Sequence, residues 1–356
     1  MELKINKKII SKNSKTYFIA DIASNHNGSL KKAKELIYEA KAAGADAAKF
    51  QHFSAETIVS DLGFKSLKSK LSHQLKWKKS VYEVYKDASI DLSWTPILKK
   101  ECDKVGIDFF TSPYAFNMVD HIDPYVSAYK IGSGDITWHE ILKYISKKKK
   151  PIILATGASN LKEVEMAVKI LSKNNKKICL MQCNTNYTNS DKNFNYINLN
   201  VLKIYKKKFP NLILGLSDHT RGHSTVLGAI ALGAKIIEKH FTLNNYLEGP
   251  DHKFSMNPKT WLEMITYARQ LEKSLGDGKK KIEKNEIETV VVQRRAIRAS
   301  EDLIKGKVIK KENLTFLRPC PKMALPPYKI KYLLGKKIIK KIKKGDLVKL
   351  RDVKSF

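Results

Sequence analysis

The chain has 356 residues, 42% of them hydrophobic, enough for a large core in one big domain or a big and a small one. Its formal net charge of +32 rests on 60 lysines against seven arginines spread along the whole chain, which reads as compositional bias and not as the arginine-rich surface of a nucleic-acid binder. No apolar stretch is long enough for a transmembrane helix and the N-terminus lacks the apolar core of a signal peptide, so the expected setting is cytoplasmic, with no membrane and no nucleic-acid partner.

Eight apolar runs of strand length follow in order. They lie at 17–24 (YFIADIAS), 46–53 (DAAKFQHF), 108–114 (DFFTSPY), 128–135 (AYKIGSGD), 151–157 (PIILATG), 178–184 (ICLMQCN), 212–219 (LILGLSDH) and 235–241 (KIIEKHF). Helical periodicity separates them: 29–45 with Ser29 as N-cap, then 160–173, 223–234 and finally 260–275. The segment 54–107 exceeds one helix and predicts extra helical material around 72–89. Strand then helix, eight times, is the pattern of a (β/α)8 TIM barrel, expected over 1–280. After the Gly- and charge-rich stretch GDGKKKIEKNEIET (276–289), a linker is expected over 281–291 and a small separate β-rich domain over 292–356, from short β-type runs punctuated by Gly and Pro. Four cysteines without a C-x-x-C pair read as reduced thiols.

In a barrel the C-terminal strand ends share one mouth. Here they carry Asp21, Asn25 and His26; Lys49 and Gln51; Thr111 and Tyr114; Lys130, Ser133 and Asp135; Thr156; Thr185 and Tyr187; Ser217, Asp218 and His219; Glu238, Lys239 and His240. Polar ends after eight apolar starts point to an enzyme site. Lys49 and Lys130, with hydroxyls and the glycine-flanked turn GSGD, make a place for a phosphate or carboxylate; the competing reading pairs each lysine with a carboxylate such as Asp21 or Asp135. His219 and His240 end adjacent strands, about 4.8 Å apart, and can share one divalent metal with open positions. The competing reading is two hydrogen-bonded core histidines, or one base and a bystander. Asp218 points the other way along its strand, as support behind the site. His223 falls on the following helix, and His252 in EGPDHKFS is a third histidine near the mouth.

The segments NHNGS, AGADAAKFQ, YKIGSGDI, GLSDHT, GAKIIEKHFT and EGPDHKFS, followed by QRRAIRASEDLIKG and LRP, resemble the sialic acid (nonulosonate) synthases, the NeuB-type enzymes with a C-terminal antifreeze-like (SAF) domain. The resemblance implies a transferase that condenses phosphoenolpyruvate with N-acetylmannosamine or a related N-acylated deoxy hexose and water, giving a nine-carbon 2-keto acid and phosphate, with Mn2+ or Mg2+ polarising the sugar aldehyde. It implies His219 and His240 as metal ligands. Lys49, Thr111, Lys130, Ser133 and Ser217 would hold phosphoenolpyruvate; Gln51, Tyr187 and Asp251 would meet the sugar; Asp21 and Asp135 would handle protons. Arg318 would reach into the partner's barrel and contact the N-acyl group, which implies a domain-swapped homodimer.

Departures from the family pattern fall at Asp21 and Asp135, each one methylene shorter than the family's glutamate. Others are Ala155 for a serine, Thr185 for a common asparagine, and Cys320 for the glycine of RPG. They bear on the sugar more than on the reaction. Two alternatives remain: another phosphoenolpyruvate-dependent 2-keto-3-deoxy sugar acid synthase with a phosphorylated acceptor, for which Lys239 and Arg221 are the spare cations, and a basic nucleic-acid-binding protein.

Overall fold

The computed structural model describes residues 2–67, 74 and 77–354. A hairpin opens the chain, β1 (Glu2–Ile5) antiparallel to β2 (Lys8–Ser11). It turns at Asn6, whose φ of 48° lies in the left-handed region that asparagine tolerates. The sequence reading did not anticipate it.

Eight parallel strands follow: β3 (Tyr17–Asp21), β4 (Ala47–His52), β5 (Asp108–Pro113), β6 (Tyr129–Ile131), β7 (Ile152–Ala155), β8 (Ile178–Cys183), β9 (Ile213–Asp218) and β10 (Ala234–His240). Ladders join them in chain order from β6 through β10 to β3 and on to β5, and β5 lies alongside β6. With helices between consecutive strands, this is the (β/α)8 arrangement expected from the pattern of runs. Register places Asp21 opposite both Lys49 and His240, and Lys239 opposite Asp218.

Side-chain alternation along each strand divides the core in two. Tyr17, Ile19, Ala47, Phe110, Ile153, Cys179, Met181, Ile213 and Ile236 fill the interior, together with Leu3, Ile5 and Ile10 of the hairpin. Their outward neighbours, among them Phe18, Ala48, Phe109, Leu154, Leu180 and Ile237, pack under the helices. The helix Leu30–Ala42 starts where its cap predicts, with the Ser29 hydroxyl accepting from the Lys32 N–H at 3.3 Å. Between β4 and β5 lie the helices Ala55–Ile58, Asp61–Ser66, Val81–Ala88 and Trp94–Val105. Of the helical material expected at 72–89, positions 72, 73, 75 and 76 lie outside the described residues.

Residues 277–356 form a second unit, separate from 1–276. The helix Ile287–Gln293 begins in the stretch expected as linker, 281–291, and runs two residues past it. Beyond it β11 (Ala296–Ala299) pairs antiparallel with β12 (Leu314–Leu317), around a core of Ile297, Leu303, Ile309, Leu333, Ile338 and Val348. Among the described residues no helix is long and apolar enough to cross a membrane. All four cysteines are free thiols, and Cys102, Cys179 and Cys183 are buried.

Candidate active site

The C-terminal ends of the barrel strands surround a cavity of about 400 Å³. Parity decides which side chains reach it. Continuing the interior face past its apolar layers gives Asp21 on β3, Lys49 and Gln51 on β4, Lys130 on β6, Ala155 on β7, Cys183 on β8, Ser217 on β9 and His219 just beyond its end, Glu238 and His240 on β10; all of these line the cavity.

Its floor is an alternation of charges. Lys49 Nζ lies 2.6 Å from Asp21 Oδ2 and 3.8 Å from Glu238 Oε2, and Lys130 Nζ lies 3.2 Å from Glu238 Oε1. The Ser217 hydroxyl donates to the same Glu238 oxygen at 3.1 Å. Burial works against the Lys49 ammonium, but Asp21 and Glu238 outweigh it and keep the amine charged. Burial also opposes ionisation of Glu238, and there Lys130 and Lys49 win, holding the carboxyl down at about 2. Asp21 is different: burial pushes its carboxyl above the usual range, against the pull of Lys49. The lysines are therefore paired, as the competing reading required, but the second carboxylate is Glu238 and not Asp135. Asp135, in the turn Ser133–Asp135 after β6, lines the cavity with its carboxyl raised by burial to about 6.

Beside the Lys49–Asp21 pair stand the two imidazoles, ring centres 5.4 Å apart, with Tyr187 4.5 Å from His219 and Phe254 4.9 Å from His240. Burial holds both neutral, lowering His219 to about 4 and His240 to about 3. His219 Nδ1 is 2.9 Å from the Asn184 carbonyl, so that nitrogen carries the proton and Nε2 keeps its lone pair. His240 Nε2 is 3.6 Å from Asp21 Oδ2, and its buried Nδ1, 4.0 Å from Asp251 Oδ2, has no hydrogen-bond partner among the described residues. The ring pair thus has lone pairs to offer a cation and no positive charge to repel one. Among the described residues no group of three His, Cys, Asp or Glu ligands forms, so the pair suits an open site and not a closed structural one.

Ser133, Tyr187 and Asp251 also line the cavity. Burial, and then the neighbouring Asp21, raise the Asp251 carboxyl to about 7. One expected residue is elsewhere. Thr111 lies out of parity with the interior Phe110; it faces the helix layer, where its hydroxyl meets His52 Nδ1 at 2.6 Å. The interior residue of that strand end is Ser112, buried, with no partner for its hydroxyl among the described residues. Arg318 belongs to the second unit and is exposed there. His252 is buried against Thr242 and Asn27, and His223 precedes the helix Ser224–Ala231 with its ring on Tyr267; neither lines the cavity.

The sequence reading also passed over Gly157 and the wall built by the β4–β5 connection. A Cβ on Gly157 would stand 2.5 Å from Thr185 Cγ2 and 2.9 Å from Ser133 Oγ, so only glycine leaves those two side chains room. Phe53, Ile58, Trp77, Val84 and Tyr85 form an apolar wall above the polar floor. Helical periodicity shows that such a segment exists, not that it folds over the mouth.

The NeuB family model matches residues 36–280, and the SAF domain model matches 294–354. The chain belongs to the NeuB family. Among NeuB relatives, the N,N'-diacetyllegionaminic acid synthase of Campylobacter jejuni is 38% identical over 342 residues, covering 94% of this chain and 99% of that protein. The pseudaminic acid synthase of the same bacterium is 35% identical, over 95% and 96% of the two chains. The crystal structure of the N-acetylneuraminic acid synthetase of Leptospira borgpetersenii, solved with citrate, superposes at a TM-score of 0.71 with 28% identity, covering 82% of this chain and 95% of that one.

Proposed function

We propose that this NeuB-family chain condenses phosphoenolpyruvate with an N-acylated hexosamine-type aldehyde and water, giving a nine-carbon 2-keto sugar acid and phosphate. One observation supports it above the others: two lysines and two neutral imidazoles line a single cavity of about 400 Å³. In this reading Lys49 and Lys130, with the Ser133 and Ser217 hydroxyls, hold the phosphate and carboxylate of phosphoenolpyruvate. C3 of phosphoenolpyruvate bonds to the aldehyde carbon, the water oxygen adds at C2, and the C2–O bond to phosphate breaks. Of the two water protons, one ends on the new hydroxyl and one on phosphate. Asp21 and Asp135 are the carboxylates placed for those transfers; the Asp135 carboxyl, near 6, takes up and returns a proton close to neutral pH. Gln51, Tyr187 and Asp251 line the cavity where the sugar would lie.

His219 and His240 would hold a divalent cation, Mn2+ or Mg2+. Bound there, it supplies Lewis-acid polarisation of a carbonyl oxygen. A phosphorylated acceptor is disfavoured, because the expected spare cations are engaged. Lys239 is turned outward onto Asp218 at 2.5 Å, and Arg221 donates to Asn189 at 2.8 Å. Among the described cavity residues, Lys49 and Lys130 are the cations. The reading also includes a homodimer in which the partner's Arg318 contacts the N-acyl group. Mixing Arg318→Ala chains with His219→Ala chains should then restore activity.

The deciding experiment incubates the full chain with phosphoenolpyruvate, Mn2+ and a panel of N-acylated hexosamines, and measures phosphate release. Release that depends on one panel sugar is expected. No release with any of them would overturn the proposal.

A further inference from the structure

We propose that Asp218 and Lys239 are positioning residues that set the spacing of the His219 and His240 imidazoles. This rests on the reading of those imidazoles as a cation site.

The two residues immediately precede the two histidines, on neighbouring strands, and the ladder sets Lys239 directly opposite Asp218. Strand alternation turns both away from the cavity, into the layer between sheet and helices. There the ammonium and carboxylate meet at 2.5 Å, each side chain only 1% exposed. The surroundings leave the carboxylate no freedom. Asp218 also accepts from the Thr220 N–H at 3.2 Å, from the Thr220 hydroxyl at 2.9 Å and from the Thr225 hydroxyl at 2.7 Å. Lys239 has a second acceptor, the Thr220 carbonyl at 2.6 Å. Residues 218 and 220 are thus both tied to β10, and His219 sits between them. The Asn184 carbonyl, 2.9 Å from Nδ1, orients its ring.

Stability alone does not call for this arrangement. A buried ion pair recovers little more than its own desolvation cost, and a well-packed apolar pair of similar volume serves a barrel wall as well. What ions and hydroxyls add is direction: the pair is satisfied at one register and one strand separation. A centre with two protein ligands needs that more than a four-ligand centre does, since neither imidazole can drift without losing half the protein's grip. The two networks are back to back, one residue apart along each strand.

The test is a Mn2+ titration of the full chain, followed by the electron paramagnetic resonance signal of free Mn2+, beside melting temperatures. Asp218→Asn should weaken Mn2+ binding about 10–100-fold, the usual cost of removing a partner behind a ligand. Thr225→Val, which removes one hydroxyl at constant volume, should weaken it a few-fold. Tyr17→Phe, which removes the buried phenol–Asp108 hydrogen bond at 2.5 Å, should lower the melting temperature without changing Mn2+ affinity. The double variant Asp218→Leu/Lys239→Met should fold and bind Mn2+ poorly. If that double variant, or a folded Thr225→Val, binds Mn2+ as the unmodified chain does, the positioning role is overturned while the cation site stands. If the unmodified chain binds no Mn2+, the cation site itself falls and this inference with it.

Discussion

Glu238 Oε1 lies 3.2 Å from Lys130 Nζ on the cavity floor, both side chains at most 5% exposed. With Lys49 beside them, one carboxylate is shared by two ammonium groups at the place where a trianionic substrate is proposed to bind. Glu238→Gln removes that shared charge and leaves the lysines under-compensated, a loss of about 3–5 kcal/mol for a broken buried pair. Its melting temperature should fall well below that of the unmodified chain. Added inorganic phosphate should raise the melting temperature of Glu238→Gln more than that of the unmodified chain, because the anion replaces the missing carboxylate. Equal phosphate shifts in the two proteins would remove the lysines from the anion site.

Thr111 and Ser112 are neighbours with opposite fates, and substitution should separate them. Thr111→Val breaks the bond to His52 inside the helix layer and should cost about 1–2 kcal/mol of stability with kinetics unchanged. Ser112→Ala, which removes a buried hydroxyl with no partner among the described residues, should leave both stability and kinetics nearly unchanged. Melting curves and steady-state kinetics on the two variants check both halves. A raised KM in Thr111→Val would restore it as a substrate contact.

The same strand shows what was legible. Eight apolar runs ending in polar residues were enough for the barrel, because a barrel needs only strand-length runs and helical spacers. The site needs parity as well: Phe110 packs inside, so Ser112 shares its face and Thr111 does not. Where a run holds one bulky interior residue, parity is readable; in TSP, with two hydroxyls side by side, it is not readable without knowing which neighbour is inside. The partner of Lys130 escaped for another reason. Glu238 and Lys130 are four strands apart in the barrel, and their meeting across its interior follows from closure, which no local pattern encodes. The hairpin at 2–11 was hidden by its lysines, which face outward while Leu3, Ile5 and Ile10 go in.

Asp135 should give the enzyme an acidic limb. Burial raises its carboxyl to about 6, with Lys130 opposing. As a base it is competent only when ionised, so kcat/KM should rise with pH through about 6, and Asp135→Asn should lose that limb along with most activity. Stability moves the opposite way. A carboxyl raised from about 4 in the unfolded chain makes the folded chain hold a proton that the unfolded chain has already released. Its contribution is therefore most favourable below pH 4 and is lost as pH rises through 6. The melting temperature of Asp135→Asn, relative to the unmodified chain, should accordingly be higher at pH 8 than at pH 4. A constant difference across that range would mean that the Asp135 carboxyl is not raised.

Gly157 is the sharpest steric requirement in the cavity wall. Its N–H donates to Ser133 Oγ at 2.9 Å, and a Cβ there would fall 2.5 Å from Thr185 Cγ2, 2.9 Å from Ser133 Oγ and 3.1 Å from Cys183 Sγ. The demand comes from close approach, so it concerns the neighbours and not the backbone angle. Gly157→Ala must push Ser133 and Thr185 into the space proposed for phosphoenolpyruvate. Its KM for phosphoenolpyruvate should rise about tenfold, with stability lowered by about 1–3 kcal/mol for overpacking. Adding Thr185→Ser deletes the methyl responsible for the shortest contact and should recover part of both losses. Measured KM values and melting temperatures for the single and double variants decide the matter. If Gly157→Ala is destabilised but keeps its KM, Ser133 does not touch the phosphate or carboxylate of phosphoenolpyruvate, and the anion site is confined to the lysines and Ser217.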